Sequence, residues 1–166
     1  MRHMTAMSIG IGILGALATY LTATMLPLPV WVIFIAWASF FTAGGGIAGL
    51  KQSVASNLTG VGIASLSLLA TASLGGAPIT AAICVGVGSA AMVQFGRVEL
   101  LSLTPTVVFG FASTVGTSAA LGLPMTHVGL DNPGLVAAAA VVLGGIFGIS
   151  HEGITKALPT RVSPRP

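Results

Sequence analysis

PGLVAAAAVVLGGIFGISH, residues 133–151, carries no Asp, Glu, Lys or Arg, and as a helix it extends about 28 Å at about 1.5 Å per residue. A bilayer's hydrocarbon core is roughly 30 Å thick, so a run of this length and apolarity reads as a transmembrane helix. Its start is punctuated as helix starts are. Asp131 or Asn132 stands at the N-cap and Pro133 at the first helical position, where its missing amide costs nothing.

Runs of the same kind recur along the whole chain. Pro, Gly and the few charged residues divide it into six spans, at about 6–26, 29–46, 50–73, 78–95, 100–122 and 133–151, followed by a tail 152–166. The expected fold is all-α: a polytopic membrane protein, a single transmembrane domain over 1–166 built as a bundle of about six helices. The apolar stretch from Ala6 to Leu26 behind Arg2 and His3 is longer than the apolar region of a signal peptide, and is expected to be a retained first helix.

Composition points the same way. Hydrophobic residues make up 54% of the 166, charged residues 5%, and mean hydropathy is +1.01. A water-soluble domain carries about 25% charged residues, and a disordered chain needs low hydrophobicity with high charge. Both classes are excluded. The pI near 9.8 reflects six basic against three acidic residues that form no patch, so no nucleic-acid partner is expected. The single cysteine, Cys84, lies in an apolar run and supplies neither a disulfide nor a metal-ligand set.

The basic residues give an orientation. With the N-terminus inside, the cytoplasmic segments hold Arg2, Lys51, Arg97, Lys156, Arg161 and Arg165, which is every Lys and Arg in the chain. The external connections hold none, as the positive-inside rule requires. Both termini are therefore expected in the cytoplasm. Residues 49–59 and 95–105 each combine a glycine and a basic residue with a Ser/Thr-bearing helix start. Helices two and three, and four and five, are thus expected to form two hairpin repeats of like orientation, one of the ways transporter folds are assembled.

Polar residues inside a bilayer are informative because no water is there to satisfy them. Ser53, Ser56, Asn57 and Gly60 share one face of the third span, and Ser102, Thr106, Gly110, Ser113 and Thr117 share one face of the fifth. Where these faces meet, Ser53, Ser56, Asn57, Ser102, Thr104, Pro105 and Thr106 are expected to line a substrate path. Pro105, read as interior to a helix, would free a carbonyl near Leu101. Lys51 and Arg97 would stand at its mouth, where their charge also serves topology. The competing reading is that small polar residues let helices approach and bond one another.

The other ionisable groups offer no chemistry. Glu152 and Lys156 form a helix-end pair at i and i+4 with His151 beside them at a helix C-terminus, and His127 with Asp131 falls short of a metal site. Without a carboxylate pair in the membrane, a P-loop or a catalytic constellation, the chain is expected to be neither an enzyme nor a buried-acid ion pump, and to use no cofactor or metal.

FTAGGGIAGLKQSVASNLTGVGIAS (41–65) and LLSLTPTVVFGFAST (100–114) resemble the YcdZ-like bacterial inner-membrane proteins, a family of unknown function. Like them the chain is short, with a Gly-Leu-Lys turn before a Ser/Thr-rich helix and a Leu-Ser-x-x-Pro element before a Gly/Ala-rich one. It departs from them in its Gly44-Gly45-Gly46 run and short tail. The resemblance implies a bacterial inner-membrane location and supplies no mechanism. The paired hairpins are similar, by analogy alone, to the membrane half of fusaric-acid-type exporters.

The expected function is a small passive channel or transporter for a small neutral or anionic solute, acting as a homo-oligomer. A non-transporting scaffold or accessory subunit, whose glycine-rich faces at Gly86/Gly88 and Gly144/Gly148 bind partner helices, is the alternative.

Overall fold

The structure, a computed structural model, describes residues 3–158. Arg2, Arg161, Arg165 and the stretch 159–166 of the expected tail lie outside the described residues. Six α-helices follow one another: α1 (His3–Thr24), α2 (Val30–Thr42), α3 (Gly46–Ser73), α4 (Pro78–Phe95), α5 (Thr104–Leu121) and α6 (Pro133–Ala157). A single 3₁₀ turn, Glu99–Leu101, separates α4 from α5.

The helix boundaries have local causes. α2 stops at Thr42, short of the expected 46, because Gly44, Gly45 and Gly46 take φ of +88°, +73° and +64°. Only glycine occupies that region without strain, so the three residues turn the chain instead of extending the helix. α6 begins as expected: the Asn132 side chain accepts from the Gly134 amide at 2.9 Å, with Pro133 just inside. It then runs beyond 151 to Ala157, its last turns carrying the Glu152–Lys156 pair.

α3 and α6 lie side by side and antiparallel at the centre: Gly145 faces Val54, and Gly134 faces Ser65. α5 runs parallel to α3, with Gln52 beside Ser102 and Gly60 against Val107 and Phe111. α2 runs parallel to α6 in the same manner, with Gly144 against Ile33 and Gly148 against Phe40. α1 and α4 are peripheral, α1 lying mainly on α6 and α4 mainly on α3. The two expected hairpins, α2–α3 and α4–α5, are both in contact. Two apolar clusters result, one around Ile33, Trp37, Val141 and Phe147, the other around Ile63, Met92, Val107 and Phe111.

The distribution of polarity inverts that of a soluble protein. Ile13, Leu66, Ile79, Val87, Leu135 and Ile146 face outward, whereas Ser53, Ser56, Asn57, Thr106 and Ser113 are buried. An apolar exterior around helices that satisfy their own backbone is what a hydrocarbon solvent selects. α1, α3, α4 and α6 are each long and apolar enough to cross a membrane, while α2 has only 13 residues. α5 has 18 residues but is rich in Ser, Thr and Gly. The molecule is a helical membrane bundle.

Its charged groups lie at the ends. The Glu152 carboxylate accepts from the Gly46 amide at 2.7 Å, bringing the end of α6 to the start of α3. The Gln52 side chain reaches Ser102 and the Glu99 carbonyl, bringing the α4–α5 link to the same place. Lys51, Arg97 and Lys156 therefore share one end of the bundle, here called the basic end. Asp131 lies at the other.

A buried polar seam between α3 and α5

Two glycines set the distance between α3 and α5. A Cβ at Gly60 would come within 2.0 Å of the Val107 carbonyl oxygen, and one at Gly110 within 1.9 Å of the Asn57 carbonyl oxygen. The backbones can touch there only because both positions lack a side chain. This contact seals the expected path. Ser53, Ser56, Asn57 and Thr106 all lie within the seam, and none is more than 1% exposed.

Most of the hydroxyls are already satisfied on their own helices. Ser53 donates to the Leu50 carbonyl at 3.2 Å, Thr106 to Leu103 at 2.7 Å and Thr114 to Gly110 at 2.9 Å. Such back-bonding is how small polar residues live in apolar helices. Ser56 differs, reaching across to the Leu100 carbonyl at 3.4 Å. Asn57 is the exception that matters. Its Nδ2 donates to the Ser53 carbonyl at 2.8 Å, but Oδ1 is buried and has no partner among the described residues. The Ser113 hydroxyl is likewise buried without a partner. An unmet buried acceptor costs about 1–3 kcal/mol, so Asn57 holds binding capacity that the fold leaves unused.

The remaining expected path residues surround the basic end of this seam. Ser102 is exposed and accepts from the Gln52 side chain at 3.0 Å, and Thr104 opens α5. Pro105 requires a correction. It sits in the first turn of α5, exposed on the surface, where a helix has no amide partner to lose. It therefore frees no carbonyl at Leu101; the nearby carbonyl that receives a side chain is that of Leu100. Lys51 is exposed and, with Gln52, Glu99 and Leu100, lines an open cleft of about 570 Å³. Arg97 is also exposed but stands outside that lining.

Several features escaped the sequence reading. His151, beside Glu152 in the sequence, is only 1% exposed, its Nε2 donating to the Met7 carbonyl at 2.9 Å. Trp37 and Phe41 meet its ring edge-on, and Gly10 leaves the space it fills. The aromatic and glycine partners come from α1 and α2, far away in sequence. Glu152 does pair with Lys156, as the i, i+4 spacing indicates, but it also caps α3. Lys156 and the Gly46 amide both favour the carboxylate form and hold Glu152 below its ordinary 4.5. At the other end Asp131 is held low by its hydrogen bond to His127 at 2.9 Å.

No curated protein and no solved structure matches the chain. Residues 8–156 match the family described as "Protein of unknown function (DUF1097)", and a match over that much of its length makes this chain a member of that family.

Proposed function

We propose that this chain is a non-enzymatic membrane transporter or channel for a small neutral or anionic solute, working as a homo-oligomer in a bacterial inner membrane. In this reading the basic end and both termini face the cytoplasm. The observation that carries the reading is the orphaned Asn57 Oδ1, 1% exposed in a seam that holds no ionisable group. A neutral amide with a free acceptor can take a polar solute without a counter-charge. Lys51 and Glu99 both line the cleft on that side, so its mouth carries no net charge and admits a neutral solute as readily as an anion. The YcdZ-like resemblance supports the proposed location.

Flux of glycerol, urea, chloride and acetate into proteoliposomes tests this. Asn57→Leu should abolish the flux that the unaltered protein supports, and Asn57→Gln should retain part of it. Flux unaffected by Asn57→Leu would remove the seam from the path. The scaffold reading draws on one feature, an apolar groove of about 380 Å³ between α3 and α4 lined by Leu66, Ile83, Val87 and Phe95. It predicts no flux for any of the four solutes.

A further inference from the structure

α1–α3 and α4–α6 correspond residue by residue. Shifting α2 by 74 positions lays Ile33 on Val107, Trp37 on Phe111 and Ser39 on Ser113, each pair buried. Shifting α3 by 84 lays Gly60 on Gly144, and shifting α1 by 78 lays Gly10 on Gly88. Along each pair of helices, buried and exposed positions then coincide almost throughout. The contacts follow the same rule. Gly60 touches the Val107 carbonyl and Gly144 the Ile33 carbonyl; Gly88 touches Ser67 and Gly10 touches His151, and Ser67 maps onto His151. α1 lies on α6 as α4 lies on α3, and α2 lies along α6 as α5 lies along α3. Because each unit has three helices, the second enters the bundle upside down relative to the first. The axis relating the units therefore runs across the bundle. This is an inverted repeat, distinct from the like-oriented hairpins.

The symmetry also relates two clefts. The one at the basic end lies between the start of α3, at Lys51 and Gln52, and the α4–α5 link, at Glu99 and Leu100. Its counterpart, of about 340 Å³, lies at the opposite end between the start of α6, at Leu135 and Val136, and the α1–α2 link, at Leu28. Lys51 and Gln52 map onto Leu135 and Val136. Between the clefts, the antiparallel register fixed by Val54–Gly145 and Ser65–Gly134 sets Asn57 level with Val141, its own counterpart. Asn57 is thus beside the axis, and the polar group there is present once, since Ser53, Ser56 and Asn57 map onto Ala137, Ala140 and Val141.

Building on the transport reading above, we infer that the chain is an alternating-access carrier rather than a passive pore. One solute site at Asn57, level with the axis between the inverted units, opens in turn to the two pseudo-equivalent clefts. An inverted repeat makes the two open states nearly equivalent by a two-fold rotation, so they lie close in energy, and rocking one unit against the other exchanges them. The glycine-to-carbonyl contacts at Gly60 and Gly144 are the smooth surfaces on which such rocking turns.

The test uses one protein in two redox states. In a Cys84→Ser background, Gln52→Cys and Leu100→Cys put one thiol on each wall of the basic-end cleft, so that oxidation traps the two walls together when the cleft closes. Val136→Cys, 5% exposed in the other cleft, reports labelling by a membrane-impermeant maleimide added from that side. Solute flux and labelling are read before and after reversible oxidation. Oxidation should stop flux of the transported probe and raise the labelling rate at position 136 several-fold, both reversed by reductant. Flux that stops with labelling unchanged describes a pore with one mouth plugged and overturns alternation while sparing transport. Flux that survives cross-linking removes the basic-end cleft from the route and overturns the inference. Absence of flux of all four probes in the unaltered protein sinks the transport reading itself, and the inference with it.

Discussion

Gly110 shows how much a single missing side chain decides here. It lets the Asn57 backbone approach so closely that Gly110→Ala must push α3 and α5 apart. Overpacking of this kind typically costs about 1–3 kcal/mol, and the rigid carbonyl opposite leaves no flexible side chain to yield. Gly62 is the control, being helical with open space where its Cβ would go. Gly62→Ala should stabilise by about 0.4–1 kcal/mol through reduced unfolded-state entropy. Thermal unfolding in mild detergent measures both; equal effects at the two positions would contradict the close seam. Asn57 is legible in the sequence as a polar residue inside a span. Its orphaned oxygen was not, because satisfaction depends on which carbonyls and hydroxyls the neighbouring helices bring.

The ends of the helices are where elements are tied to one another. Gly46 begins α3 behind a glycine N-cap that offers no side-chain acceptor of its own. The acceptor comes instead from Glu152, which also meets Lys156, and a carboxylate at a helix N-terminus is favoured by the helix dipole. Since folding lowers the Glu152 pKa below 4.5, its stabilising contribution is full above that value. It is lost as pH falls through the lowered pKa. Melting temperature followed from pH 7 downward should therefore fall less steeply in Glu152→Gln than in the unaltered protein, after starting lower. A steeper fall in Glu152→Gln would refute the cap. Sequence spacing made the bond to Lys156 visible, but the bond to Gly46 spans 106 residues and needed the fold.

At the scale of the molecule, the charge partition and the helix order agree. Among the described residues Lys51, Arg97 and Lys156 gather at one end although they lie on three different segments. Under the proposed topology, cysteines introduced at Lys51 and Lys156 should label with an impermeant reagent only after cells are opened, and one at Asn132 should label in intact cells. The opposite pattern would turn the bundle over in the membrane.

The class and the helix plan are legible in the chain's composition and punctuation: lipid selects long apolar runs, and Pro, Gly and charge mark where they stop. α4 lies where Pro78 and Phe95 bound it, and Asn132 caps α6 as its side-chain chemistry dictates. The sequence also indicated which residues are polar within the span of α3. Only the packed bundle shows that Pro105 sits in the first turn of α5, that the α3–α5 seam is closed, that His151 is buried, and that the halves are related by inversion. The reason is physical. Lipid imposes an apolar surface on every helix alike, so hydropathy records exposure to the bilayer but not which helix faces which. That choice rests on close contacts of glycine with distant backbone, and on a burial pattern that the two halves share although their residues largely differ.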